Sequence, residues 1–178
     1  MRINSYSGWR SLMVPRLLVA LLCWLALGVP AQAADGQLPP IDKVLVIKSE
    51  RQLHLKHRGQ VVKSYSVSLG KQSGPKRHEG DLRTPEGFYW LDWRKPSDRY
   101  NLAINISYPN QADIERAAAL GKPAGNLIMI HGTPRDPEFP EWFFSSLNWT
   151  EGCIALPNND MEEVWQLVPD NTLIEIRP

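Results

Sequence analysis

Turn signals cut the chain between residues 43 and 176 into short segments rich in β-branched and aromatic residues, and this punctuation limits the fold more than any other feature. Residues 43–48 and 52–56 read as two strands joined by a polar turn, and Arg58-Gly59-Gln60 forms a second turn. Residues 61–69 alternate as a third strand, with Val61, Tyr65 and Val67 on one face and Val62, Ser64, Ser66 and Ser68 mostly on the other. Residues 70–85 form a long charged surface loop punctuated by glycine and proline. Strands resume at 87–93 and 102–107, at 126–131, where the composition indicates burial, and at 153–156 and 172–176. Two short helices interrupt them. One covers residues 112–120 and is stopped by Gly121 and Pro123. The other runs through Leu167, capped by Asn158 or Asn159, with Asp160, Glu162 and Glu163 in the first turn, where the helix dipole favours acids. Residues 133–148 read as a proline- and aromatic-rich loop. Many strands with hairpin-length turns and few helices indicate a β-rich domain.

The first 33 residues have a different character. Arg2, Arg10 and Arg16 accompany an apolar stretch at 17–29, and Ala31-Gln32-Ala33 fits a small-x-small cleavage site. The expectation is a secretory signal peptide over 1–33, with an uncleaved anchor as the alternative, although the apolar run is short for a membrane span. Residues 34–41, with Leu38-Pro39-Pro40, read as a linker, and 42–178 as the domain. About 145 residues after the leader suffice for one hydrophobic core. Setting aside the leader's three arginines leaves 17 Lys and Arg against 19 Asp and Glu, a net charge of about −2. Nucleic acid is a poor partner for such a surface.

Of the two cysteines, Cys23 lies in the apolar part of the leader, so Cys153 has no partner for an internal disulfide. A leftover cysteine in an exported protein is either a reactive thiol or a buried inert one. It stands in Trp149-Thr150-Glu151-Gly152-Cys153-Ile154, where glycine before and a β-branched residue after suggest a tight turn feeding a strand. His131, in Ile130-His131-Gly132, ends the apolar run upstream, so both residues fall at strand ends bordering one long loop. An imidazole within hydrogen-bond reach can hold a thiolate as an ion pair; the thiolate attacks a carbonyl and the imidazolium protonates the leaving amine. Gly152 would let the backbone approach a substrate closely, and the Cys153 amide would help bind the oxyanion. On the residues alone, catalysis and an inert cysteine both stay open.

The order of motifs is more specific. Ile130-His131-Gly132 followed by Thr150-Glu151-Gly152-Cys153-Ile154-Ala155-Leu156 resembles the signature of the L,D-transpeptidase (YkuD-type) catalytic domain family. Gly70-Lys71, Glu79-Gly80-Asp81 and Arg83-Thr84-Pro85-Glu86-Gly87-Phe88-Tyr89 are similar to further segments of that family. Ser107-Tyr108-Pro109-Asn110 resembles its branch related to murein-lipoprotein processing enzymes. The resemblance implies a mainly β, single, sandwich-like catalytic domain with two or three short helices. It also implies a periplasmic or cell-wall enzyme acting on peptidoglycan stem peptides. Such an enzyme forms an acyl-thioenzyme at the third residue of the stem and resolves it with an amine, as in cross-linking or lipoprotein attachment. The alternative is resolution by water, as an L,D-carboxypeptidase or a lipoprotein-releasing amidase. A non-catalytic wall-binding domain is the third reading. By resemblance Cys153 is the nucleophile, His131 the base, and Gly152 with the Cys153 amide the oxyanion site. The chain departs from the pattern at Glu151, where the family has histidine, and at Ala155, where it has a polar residue.

Other residues carry paired expectations. Glu151 is expected to turn its carboxylate to the pocket mouth, away from the thiol, either to attract an amine or as a solvated charge. Arg83 either pairs with stem-peptide carboxylates or braces its loop, and Lys71 is a further basic candidate. Tyr108 and Trp149 either wall a pocket or pack beneath the loop; Thr150 and Gly132 flank the motifs as substrate contacts. The aromatic cluster at 139–144 forms a lid over the site or is pinned to the core. His54 and His57, three apart on a strand, point to opposite faces, and His78 sits in a charged loop, so no metal site is expected. A thiolate mechanism calls for no cofactor.

Overall fold

The computed structural model describes Met1, residues 38–134 and residues 138–178; the expected signal peptide and most of the linker lie outside the described residues. Residues 38–178 form one compact unit. Eight strands appear in the order β1 (Lys43–Ile47), β2 (Gln52–His57), β3 (Gln60–Ser66), β4 (Gly87–Ser97), β5 (Asn101–Ile106), β6 (Met129–His131), β7 (Ile154–Ala155) and β8 (Thr172–Arg177). Three helices, α1 (Gln111–Ala118), α2 (Glu141–Ser146) and α3 (Asn158–Leu167), fill the connections. The β-rich class expected from the turn spacing is the class observed.

Hydrogen bonds join the strands into one sheet in the order β3-β2-β1-β8-β4-β5-β6-β7. The β1–β8 and β6–β7 pairs are parallel and the remainder antiparallel. The sheet curls until its ends meet. Just beyond β3, the Ser68 amide donates to the Ala155 carbonyl at 2.8 Å, and the Ala155 amide returns the bond to Ser68 at 2.8 Å. Alternation places Val44, Val46, Leu53, Leu55, Tyr89, Leu91, Ile104, Ile106, Ile174 and Ile176 inside this curl. Met161 and Val164 of α3 complete the same core.

Several boundaries differ from the sequence reading. β4 runs on to Ser97 because Arg94 to Ser97 pair with Ile104 to Asn101 across a hairpin, although these residues are polar or exposed. β6 starts only at Met129, since Leu127 adopts a positive φ of 56° that breaks an extended run. α1 begins on a reciprocal cap: Asn110 Oδ1 accepts the Asp113 amide, and Asp113 Oδ2 accepts the Asn110 amide, each at 3.1 Å. The α3 cap is a correction. Neither Asn158 nor Asn159 caps it with a side chain; Pro157 holds that position, and Glu141 Oε1 of α2 accepts the Asn158 amide at 2.5 Å.

Residues 138–148 carry α2 and are pinned to the body of the domain. Glu141 Oε1 also accepts the Thr133 hydroxyl, Ser68 Oγ donates to the Phe144 carbonyl, and the Arg51 guanidinium donates to the carbonyls of Ser145, Ser146 and Leu147. A cation at these carbonyls satisfies acceptors that a helix end leaves free.

Leu91 is fully buried, so Leu91→Ala is expected to destabilise the domain by about 2–5 kcal/mol in denaturant unfolding, whereas Val61→Thr on the exposed edge changes it by no more than about 0.5 kcal/mol.

Candidate active site

The register of β6 and β7 brings the two sequence candidates together. Ile130 pairs with Ile154 and His131 with Ala155. Ile130 and Ile154 enter the core, so His131, Ala155 and, two residues before Ala155, Cys153 share the opposite face. Adjacent strands and a two-residue offset place the α-carbons of Cys153 and His131 about 8 Å apart, a span that a thiol and an imidazole can bridge. Both line one cavity of about 410 Å³.

Four segments build its walls. Lys71, Lys76, Glu79 and Gly80 come from the β3–β4 loop, Arg99 and Tyr100 from the β4–β5 hairpin, residues 125–128 from the approach to β6, and Trp149, Thr150 and Glu151 from the turn before Cys153. No described residue of 133–148 lines the cavity. The aromatic cluster, with Phe139 stacked on Phe143 at 4.8 Å, therefore belongs to the pinned segment, and the lid expectation is not met there.

His131 is 3 % exposed and tightly held. Its ring stacks on Tyr100 with centroids 4.3 Å apart and meets the edge of Trp149 at 5.7 Å. Nδ1 lies 2.7 Å from the Gly132 carbonyl. A carbonyl only accepts, so Nδ1 carries the proton and Nε2 is the free basic nitrogen. The Thr133 hydroxyl, two residues on, donates to Glu141 and takes no part in holding the ring. Burial, reinforced by the nearby Arg99 charge, pulls His131 down to about 4, against the hydrogen bond to Gly132, which favours the charged form.

Cys153 is partly buried and sits between two backbone groups. Sγ donates to the Leu127 carbonyl at 3.7 Å and accepts from the Met129 amide. Burial pushes the thiol up, outweighing the Met129 bond and the Lys76 charge; Glu151 pushes in the same direction as burial. Thiol and imidazole are both neutral at pH 7, and the thiol proton points to Leu127. The ion pair expected from the sequence is absent in this resting arrangement, because desolvation disfavours both charges.

The turn before Cys153 is held by Thr150. Its Oγ1 donates to the Cys153 carbonyl at 2.7 Å and accepts the Gly152 amide at 3.1 Å. The Gly152 amide is thus engaged and unavailable to an oxyanion, while no hydrogen bond among the described residues uses the Cys153 amide. Gly152 matters for its shape: φ is 134°, and a Cβ there would lie 2.7 Å from the Arg83 carbonyl. Glu151 is exposed on the cavity wall, as expected for a carboxylate at the mouth. Gly132 stands behind the imidazole, its amide shared between the Tyr100 and Leu102 carbonyls at 3.0 and 3.2 Å, and does not line the cavity.

Two expected substrate contacts are placed elsewhere. Arg83 presents its backbone to Gly152 and Gly70 while its guanidinium lies near Gly74, outside the cavity lining. Tyr108 is buried against Tyr89, its hydroxyl donating to the Ala124 carbonyl at 2.9 Å. Trp149 does line the cavity, and its indole N–H is buried without a partner among the described residues. Lys71 lines it as well. Tyr100, Arg99 and Lys76 were not singled out by the sequence; they carry no motif signal and reach the site only through the hairpin and the loop, whereas Glu79 belongs to the family-like segment Glu79-Gly80-Asp81. His54 contacts Ser64 Oγ, His57 the Pro40 carbonyl and His78 the Glu79 carbonyl, and no cluster fit to hold a metal occurs among the described residues.

Two measurements probe this geometry. Alkylation of Cys153 by iodoacetamide is expected to be slow at pH 7 and still rising above pH 9, the ordinary value for the thiol; a plateau near pH 6 would reveal a thiolate held by imidazolium. Thr150→Val removes both turn hydrogen bonds and should lower unfolding stability by about 1–3 kcal/mol, while Thr150→Ser retains most of it.

Comparison with known proteins agrees with this geometry. The family model of the YkuD L,D-transpeptidase catalytic domain matches residues 42–176. A curated relative, "Putative L,D-transpeptidase YafK" of Escherichia coli (strain K12), is 33% identical over 132 residues, covering 70% of this chain and 46% of its own. The helical cell shape determining protein Pgp2 from Campylobacter jejuni superposes with a TM-score of 0.59 at 31% identity, over 76% of this chain and 47% of Pgp2. An Enterococcus faecium L,D-transpeptidase shares the fold at a TM-score of 0.51 and 15% identity, over 76% of this chain and 49% of its own. The chain thus spans about half the length of the relatives it matches. With the family model spanning residues 42–176 and a relative 33% identical over 70% of the chain, the chain belongs to the L,D-transpeptidase (YkuD-type) catalytic domain family.

Proposed function

We propose that the domain is a peptidoglycan L,D-transpeptidase of the cell envelope, forming a cysteine acyl-enzyme at the third residue of the stem peptide. The reading rests on one observation: Cys153 and His131 line the same cavity from one face of adjacent parallel strands, with His131 Nδ1 committed to the Gly132 carbonyl.

The chemistry follows from that arrangement. As Sγ attacks the carbonyl carbon of the third residue, its proton passes to Nε2 of His131. The oxyanion meets the Cys153 amide, whose N–H is the donor left free in this turn. Collapse breaks the C–N bond, and His131 returns the proton to the departing amine, leaving a thioester. An acceptor amine, from a second stem or the lysine of a murein lipoprotein, then attacks the thioester carbonyl. It gives its proton to His131, which reprotonates the sulfur as the C–S bond breaks. General-base attack from a neutral pair suits two desolvated groups, because charge appears only where it is consumed.

Purified protein incubated with defined muropeptides tests this. Cross-linked dimers or exchanged D-amino acids that disappear in Cys153→Ala are the expected outcome; only shortened or detached stems would assign the site to hydrolysis. A carbapenem adduct seen by intact mass in the wild type and absent in Cys153→Ala separates both from a binding module. Since the base must be unprotonated and His131 lies at about 4, the acid limb of kcat/KM is expected near pH 4 and not near 6.5.

A further inference from the structure

Lys76 has a placement that its loop does not require. The side chain is 4 % exposed and lines the cavity shared with Cys153. Its ammonium has three N–H groups but one hydrogen-bond acceptor among the described residues, Asp81 Oδ1 at 3.0 Å, with the Tyr108 ring 6.0 Å away. Asp81 is well supplied without it. The same carboxylate accepts the amides of Arg77 at 2.6 Å, His78 at 3.3 Å and Arg83 at 3.2 Å. These bonds already order the loop, so the ammonium adds a charge to the cavity wall beyond what the turn needs.

Buried donors in folded proteins are nearly always satisfied, and a partly satisfied ammonium facing a cavity calls for an acceptor from the ligand. We infer that Lys76 anchors a carboxylate of the stem peptide beside Cys153, with Asp81 holding the ammonium in place. This rests on the proposed function for the identity of the ligand. Arg99 and Lys71 also line the cavity, but both are exposed, and a solvated charge binds a carboxylate weakly; Lys76 is desolvated and fixed before the ligand arrives. Arg83, which the sequence offered for this task, faces Gly74. The carboxylate has two possible sources on a stem peptide: the side chain of a diamino-acid third residue, and the C-terminus of the residue that follows it.

Equilibrium binding to the full chain carrying Cys153→Ala tests the inference without needing turnover. Three synthetic tetrapeptide stems are compared by calorimetry: one with both carboxylates, one amidated at the third-residue side chain, one amidated at the C-terminus. The expected result is that one amidation weakens binding about 10- to 100-fold, and that Lys76→Met abolishes this difference while leaving affinity for that amide nearly unchanged. The identity of the penalised amide names the carboxylate. Because Lys76→Met leaves Asp81 buried beside a neutral side chain, Lys76→Met/Asp81→Asn is measured in parallel, with thermal unfolding confirming that each variant is folded. Equal affinity for all three stems, or a penalty that persists in the folded variants, overturns the inference. Failure of the wild type to turn over any muropeptide would instead refute the proposed function, and the binding comparison would still decide the role of Lys76.

Discussion

Parallel pairing of two very short strands underlies the whole site. β6 spans three residues and β7 two, and neither could hold its conformation alone. They are locked because β6 continues a sheet through β5, because Ile130 and Ile154 anchor both in the core, and because the Ser68 backbone clasps Ala155 from the far end of the curl. Remove that closure and the face shared by Cys153 and His131 is no longer defined. The geometry of the site thus depends on contacts made by residues far apart in the chain, chiefly Ser68, Ile104 and Ile130.

Desolvation then sets the protonation state. The same packing that orients His131, with Tyr100 on its face and Trp149 at its edge, also strips it of water. Cys153 receives two backbone contacts in place of solvent, one of them from Leu127, a non-glycine residue held at positive φ. Such conformations cost on the order of 1–3 kcal/mol and persist where surrounding structure imposes them. Here the strained residue aims its carbonyl at the sulfur. Positioning and neutrality arise from one cause, the exclusion of water.

Much of this was legible in the sequence. Turn punctuation between short β-branched and aromatic runs located all eight strands, and the stop at Gly121 marked the end of α1. What escaped were features decided by partners. The outer half of β4 is polar and gains its extension only from pairing with β5; α2 has no side-chain cap and is held by Arg51 and Ser68 from elsewhere. Cys153, His131, Trp149, Thr150 and Glu151 were legible because they cluster in two motifs at strand ends. Tyr100 and Lys76 were not, since a hairpin tip and a charged loop look alike whether or not the fold turns them inward. Arg83 was expected to offer its guanidinium to a ligand, whereas its backbone packs against Gly152, where a Cβ would collide with the Arg83 carbonyl.

The raised thiol has a further effect that concerns endurance. Peroxide, and the exchange reactions that form mixed disulfides, attack thiolate and barely touch a protonated, half-covered sulfur. A thiolate at this position would be open to such adventitious chemistry. Burial, with the Glu151 charge beside it, keeps the proton on Cys153 and so exchanges idle reactivity for lifetime.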